Sequence, residues 1–137
     1  MLSRRENKFF DLAKSIAKTS NFHKSHVGCC VVHKWNVLSV ASNSEKTHTL
    51  QRIYNKYRNF DIDKSPAKLH AEIYALSWLI NKNIDWKDIE IYVYRELNNG
   101  TPAISKPCLS CRKLIEDLGI KTIYYIDEYG KRVKERI

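Results

Sequence analysis

Leu69-His70-Ala71-Glu72-Ile73 and Lys106-Pro107-Cys108-Leu109-Ser110-Cys111 are the two stretches from which the rest of the chain is read. His-x-Glu followed by Pro-Cys-x-x-Cys offers one imidazole, two thiols and a carboxylate. Imidazole and thiolate are the donors zinc prefers in a tetrahedron, and a set of three leaves the fourth position to water. Such a water has its pKa lowered to roughly 7, which makes hydroxide available at neutral pH. On this reading His70, Cys108 and Cys111 are metal ligands for one catalytic zinc ion (Zn2+) per chain. Glu72 is the catalytic proton carrier and not a ligand. A closed, structural zinc site would need a fourth protein ligand, and the sequence offers no obvious one. A lone histidine is more often structural, and a lone Cys-x-x-Cys is a modest signal. The specificity lies in their combination, with Glu two residues after His and Pro before Cys.

The surrounding residues place both halves of the motif at helix starts. Pro66 can open a helix in which Leu69, Ile73, Leu76 and Ile80 form one stripe, with Ala75 and Leu79 beside it. Trp78 broadens the apolar surface, and a helix apolar on most sides is buried. His70 and Glu72 then face a point beyond the helix end. Pro107 has no N–H to leave unsatisfied and suits a second helix start, with Cys108 and Cys111 on one face of the first turn. The positive end of the helix dipole favours their thiolates. Leu114, Ile115 and Leu118 carry that helix's apolar face, and Gly119 stops it.

Working outward, Ser3 and Glu6 spell a capping box, and Phe9, Phe10, Ala13, Ile16 and Ala17 recur at helical spacing, predicting a helix over 4–19. Val27–His33 is apolar and partly β-branched, as a central strand is. Lys34-Trp35-Asn36 is a turn, and Val37–Ala41 returns antiparallel. Cys29 and Cys30 are strand neighbours that point to opposite faces, so they read as small buried hydrophobes and not as ligands of one metal. Ile89–Tyr94 and Ile120–Ile126 are further strands, and Asn98–Pro102 is a turn-rich insertion. A fifth strand within Lys131–Ile137 would return antiparallel. Strand–helix–strand units favour parallel neighbours, so the expected fold is α/β: a three-layer α/β/α sandwich around a mixed sheet of four to five strands, in a single domain over 1–137.

Residues 43–69 are less determined. They carry Lys46, Arg52, Lys56, Arg58, Lys64 and Lys68, interleaved with Tyr54, Tyr57 and Phe60. Leu50, Ile53, Tyr54 and Tyr57 have the spacing of a short helix inside a loop. Interleaved basic and aromatic residues can stack bases and contact phosphates. The plainer reading has the aromatics anchoring the loop to the core, and it is favoured for them; the basic residues stay open. His48 has no partner at ligand spacing and is not read as a metal ligand.

The 137 residues carry 24 Lys and Arg against 15 Asp and Glu, a net charge of +9, and are 43% hydrophobic and 28% charged. That is a globular composition. The excess charge suits a phosphate-bearing or polyanionic partner, and equally a lysine-rich solvated surface. The polar N-terminus and the absence of a long apolar run predict neither a secretory signal nor a membrane span. Four cysteines in such a chain point to a reducing compartment, and the cytoplasm is expected.

His-x-Glu with Pro-Cys-x-x-Cys is a signature of zinc nucleobase deaminases, and the chain resembles the cytidine deaminase superfamily beyond it. Val27–Val32 with Val37–Asn43 looks like that family's first hairpin. Ser42–His48 and Ser105–Cys108 most resemble small, phage-associated CMP/dCMP deaminase-like proteins. The resemblance spans roughly residues 5–126 and implies a cytidine deaminase-like fold and a hydrolase. Glu72 would take a proton from the attacking water, deliver it to the ring nitrogen and later protonate the departing ammonia. It further implies substrate-binding roles for Asn43, toward sugar or base, and for the backbone carbonyl of Lys106, toward the exocyclic amine. The implied substrate is cytosine in a free nucleoside or nucleotide (cytidine, deoxycytidine, CMP or dCMP). The alternatives are cytosine in single-stranded DNA or RNA, adenosine in tRNA, and a non-catalytic zinc-stabilised nucleic-acid-binding module. Ile104-Ser105-Lys106-Pro107 departs from the tRNA enzymes' Thr-Leu-Glu-Pro. Tyr74 stands where larger dCMP deaminases carry Asn. Assembly into a homo-oligomer is left open.

Overall fold

Alternate residues of the first strand face two different layers, and both sets are buried. Cys29 and Val31 lie in one apolar cluster and Cys30 and Val32 in another, all four fully inaccessible. This is the cysteine arrangement expected from strand geometry. A strand buried on both faces belongs inside a sheet that is covered on both sides.

The computed structural model describes residues 2–22, 24–58 and 68–137. In chain order the elements are α1 (Arg4–Ala17), β1 (Ser25–His33), β2 (Asn36–Ser42), β3 (Ser44–Thr47), α2 (Thr49–Tyr54), β4 (Lys68–Leu69), α3 (Ala71–Ser77), β5 (Ile89–Leu97), α4 (Leu109–Leu118), β6 (Thr122–Ile126) and β7 (Arg132–Arg136). Short 3-10 turns follow α2 (Asn55–Arg58) and precede β5 (Trp86–Asp88). The main sheet has five strands in the order β2-β1-β5-β6-β7. Only β5 and β6, which flank α4 in the chain, run parallel; the other pairs are antiparallel. Phe10, Ala13 and Ala17 of α1 cover one face, against Cys30, Val32, Tyr92 and Tyr124. On the other face α3 and α4 pack Ile73, Leu76, Leu114 and Ile115 against Cys29, Val31, Ile91 and Ile123. The result is the mixed-sheet α/β/α sandwich that the sequence predicts, and β7 is the expected antiparallel fifth strand.

Local chemistry explains the element ends. Ser3 Oγ accepts from the Glu6 N–H at 3.0 Å and Glu6 Oε1 accepts from the Ser3 N–H at 2.8 Å, closing the capping box at the start of α1. The helix stops at Ala17, two residues short of expectation. Gly28 lets α1 lie directly on β1: a Cβ there would stand 2.0 Å from the Ala13 carbonyl oxygen. The β1–β2 hairpin closes through Lys34 and Trp35, both at positive φ (45° and 70°), as the two central residues of a type I′ turn must be. Trp35 is held there by stacking on Phe9 and by the Arg5 guanidinium 4.4 Å above its ring. Gly119 ends α4 in the left-handed conformation (φ 94°), as predicted.

Three expectations are corrected. The helix expected from Pro66 begins at Ala71, because Lys68 and Leu69 pair as β4 with β3 in a small second sheet; Pro66 itself lies outside the described residues. That helix ends at Ser77, so Ile80 is not part of it, and Trp78 is 62% exposed instead of extending the core. The second motif helix begins at Leu109 and not at Pro107, for a reason that belongs to the site. Within 43–69 the expected short helix is present as α2, and Phe60 and Lys64 lie outside the described residues. No helix among the described residues is long and apolar enough to cross a membrane.

Candidate metal centre and active site

Both halves of the motif are built on helix N-caps. His70 caps α3 with extended backbone (φ −78°, ψ 150°), and Cys108 caps α4 in the same way (φ −68°, ψ 171°). Neither side chain caps the backbone of its own helix, although N-cap side chains commonly do. They turn outward toward each other instead. Pro107 is thereby pushed one position outside α4, and Cys111 falls at the third helical position. Sγ of Cys108 is 3.5 Å and Sγ of Cys111 is 3.3 Å from His70 Nδ1. All three donor atoms lie within 4.8 Å of one another.

These distances fit a zinc ion. Tetrahedral angles with Zn–N and Zn–S bonds of about 2.0 and 2.3 Å separate the nitrogen and sulfur by roughly 3.5 Å. The protonation states fit as well. Hydrogen bonding from Cys111 outweighs burial and, with His70 and Ser110, holds the Cys108 thiol down at about 3. Cys108 is therefore a thiolate, the form that binds metal. Ser110, fully buried between the two cysteines in sequence, places its Oγ 3.0 Å from the Cys108 sulfur.

Glu72 lies in the first turn of α3 beside this trio and is 5% exposed. Burial pushes its carboxyl above the ordinary carboxylate range, against the opposing pull of His70, its own backbone N–H and the Cys111 thiol. A carboxyl that binds a proton more readily than usual suits a residue that must accept one and give it back.

His70, Cys108 and Glu72 line a cavity of about 370 Å³, whose lining also includes Asn43, Ser44, Ser105 and Lys106. Asn43 is held by the chain around it: its Oδ1 accepts from the Val27 N–H at 2.9 Å and from Ser20, and its Nδ2 donates to the Ser25 carbonyl at 3.0 Å. Among the described residues Nδ2 makes no second hydrogen bond, and Asn43 lines the cavity. Lys106 is carried by its neighbour. Ser105 Oγ donates to the Val93 carbonyl and accepts from the Ile126 N–H, both at 2.7 Å, tying the segment before Pro107 to the middle of β5 and the end of β6. The Asn98–Pro102 insertion closes this path as a tight turn, with the Leu97 N–H bonded to the Thr101 carbonyl at 2.9 Å.

The wall also holds Lys24, Lys68 and Arg95. The Arg95 guanidinium donates to Ser25 Oγ and to the Ile104 carbonyl, both at 3.3 Å and both uncharged. No carboxylate pairs with it among the described residues. His48 is structural, since its Nδ1 accepts from the Leu50 N–H at 3.0 Å and so caps α2.

Residues 3–127 match the model of the cytidine and deoxycytidylate deaminase zinc-binding region. The chain belongs to this family. The match is to a zinc-binding region, and His70, Cys108 and Cys111 form a potential zinc site within it. Among solved structures the chain is similar to a dCMP deaminase from the cyanophage S-TIM5 (23% identity, TM-score 0.65, covering 93% of this chain and 86% of that one). It is also similar to a cytidine deaminase from Burkholderia pseudomallei (15%, TM-score 0.66, 98% and 93%). A mutant cytidine deaminase from Mycobacterium tuberculosis is a more distant likeness (14%, TM-score 0.53, 96% and 89%). At these identities the likeness is one of fold. No curated protein matches the chain in sequence.

Sequence reasoning missed Gln51, Ser105, Ser110 and Arg95. Ser105 and Ser110 adjoin motif residues, and a small hydroxyl there is the one signal that could have drawn attention to them.

Proposed function

We propose that this family member is a hydrolytic deaminase that converts cytosine to uracil in a free nucleoside or nucleotide, acting as a single domain in the cytoplasm. One observation carries the reading: a buried carboxyl, Glu72, lines a cavity large enough for a nucleoside together with His70 and Cys108, two of the three donors of the zinc set. Zinc, when bound by His70, Cys108 and Cys111, supplies the acidity that makes water a nucleophile at neutral pH. Glu72 accepts the proton released from that water and passes it to the pyrimidine ring nitrogen; it then takes the remaining hydroxyl proton of the added water and gives it to the amine, so that ammonia leaves as the carbonyl of uracil forms. Its burial keeps bulk water from competing for the proton. Asn43 binds sugar or base through its remaining N–H, and the Lys106 carbonyl orients the exocyclic amine.

Lys24, Lys68 and Arg95 on the cavity wall favour a substrate that carries phosphate. Cytosine in single-stranded nucleic acid is the second reading, favoured by the +9 charge. The test is a panel of cytidine, deoxycytidine, CMP, dCMP, adenosine and a cytosine-containing single-stranded oligonucleotide, each product identified by mass. Conversion of a cytosine monomer with loss of ammonia is expected, and Glu72→Gln should lower kcat by about 10²–10⁴ while zinc content stays the same. Inactivity on all six, or Glu72→Gln turning over at the wild-type rate, overturns the proposal.

A further inference from the structure

The backbone N–H of His70 is an N-cap donor outside the ladder of α3. In a capping box it would be satisfied by a Glu or Gln three residues on. That residue here is Ile73, which cannot accept a hydrogen bond. The acceptor comes from another element: Gln51 of α2 places Oε1 2.9 Å from the His70 nitrogen. Gln51 is fully buried, and its amide is oriented by a second bond, from Nε2 to Asn55 Oδ1 at 2.7 Å, with Asn55 itself 1% exposed. The two residues thus form a buried polar pair within α2 and the turn that follows it.

The same short helix grips the other half of the zinc set. Tyr54, three residues beyond Gln51, donates its hydroxyl to Asp117 of α4 at 2.8 Å, and α4 carries Cys108 and Cys111 at its start. The α2 segment therefore touches both the histidine and the cysteine helix. A buried amide pair is a high-stakes arrangement, because a buried polar group left unmatched loses its hydration with nothing in return. An apolar residue at position 51 would fill the space without that risk.

We infer that Gln51 is a positioning residue for the zinc centre: it fixes the backbone of His70, and with it the direction of the imidazole, by supplying from α2 the N-cap acceptor that α3 lacks. Asn55 holds the Gln51 amide in the orientation this requires. The inference rests on the zinc reading of the His70–Cys108–Cys111 cluster and adds to it a tertiary device outside the motif. Partners that orient a metal ligand change metal affinity by about 10–100-fold when removed.

The experiment measures zinc dissociation by chelator competition, with zinc stoichiometry of the wild type determined first. Gln51→Met keeps the side-chain length and removes the acceptor. It is expected to weaken zinc binding at least tenfold and to alter the visible spectrum of the cobalt-substituted protein, which reports ligand geometry. Ile89→Val, in the core at the opposite end of β5 from the cavity-lining Val93 and Arg95, serves as the stability control. It should lower Tm with zinc affinity unchanged. Wild-type protein that binds no zinc overturns both the zinc reading and the inference. Gln51→Met with wild-type zinc affinity and cobalt spectrum overturns the inference alone, as does a loss that Ile89→Val reproduces. If Gln51→Met does not fold, Asn55→Ala decides the matter: a threefold or greater loss of zinc affinity supports the inference, and wild-type affinity overturns it.

Discussion

Ser110 Oγ lies 3.0 Å from the Cys108 sulfur, and Ser110 is fully buried. Both cysteine sulfurs lie within 3.5 Å of His70 Nδ1, so the three donor atoms converge on one position. Wild-type protein should therefore bind one zinc per chain, and Cys108→Ala should lose it. Ser110→Ala keeps all three ligands and is expected to retain stoichiometry while weakening affinity by about tenfold. Metal analysis after dialysis against a graded chelator checks both. Full zinc in Cys108→Ala would refute the ligand assignment.

The approach of α1 to the sheet sets a second expectation. A methyl group at position 28 would meet the Ala13 carbonyl oxygen at 2.0 Å and the Ala17 nitrogen at 2.5 Å, both backbone atoms that cannot swing aside. Gly28→Ala should push α1 away from β1 and cost about 3 kcal/mol, at the upper end of the range for overpacking. Urea unfolding of the two proteins gives the number directly. A loss below about 1 kcal/mol would mean that α1 can shift as a rigid body without penalty.

The third expectation concerns acid. Burial pushes the Glu6 carboxyl up, but the Ser3 N–H, the hydroxyls of Tyr124 and Ser3 and the Lys134 charge together outweigh it and hold the group down at about 2. Its folded pKa thus lies below that of an unfolded glutamate, about 4.3. The stability it contributes is fully present above that unfolded value and is lost as pH falls toward about 2. Wild type should exceed Glu6→Gln in stability at pH 6, and the difference should shrink steadily below about pH 4.5. Measuring the difference between the two proteins cancels the effect of acid on the zinc site. A gap that does not change from pH 6 to pH 3 would rule out this linkage.

How much of this was readable beforehand depends on sequence distance. The capping box, the two-faced burial of β1 and the Gly119 stop announce themselves within a few positions, and each stands where expected. What failed to show were contacts between distant segments. Gln51 and His70 are nineteen positions apart, and Ser105 and Ile126 twenty-one; nothing local marks either pair. Pairing of Lys68 and Leu69 with β3 overrode the helical pattern that Leu69 joins. Pro107 is a good first helical residue, but the cysteine after it must point out of the helix to reach His70. The helix therefore starts one residue beyond Cys108.

The last prediction concerns what carries the base. Lys24, Lys68, Arg95 and Lys106 line the same cavity as Glu72. The other basic residues of 43–58 lie on α2 and its flanks, where Lys56 sits 5.1 Å from the Tyr57 ring and Lys113 of α4 sits 5.5 Å from the same ring. A mononucleotide would use the first group and a polynucleotide both. Salt separates the two. A single strand held through Z phosphates loses affinity with a log–log slope of about −0.7Z, whereas one phosphate gives a shallow dependence. Measured from 50 to 200 mM salt, kcat/KM for CMP or dCMP should fall less than about fivefold. It should exceed the value for an oligonucleotide near physiological salt. Arg95→Ala should raise KM for the nucleotide about tenfold or more and leave that for the nucleoside nearly unchanged, since a charge-assisted bond is worth roughly 1.5–3 kcal/mol. A better oligonucleotide substrate, with a steep slope that flattens in Arg52→Ala/Lys56→Ala, would show instead that the basic surface of α2 guides a strand to the zinc.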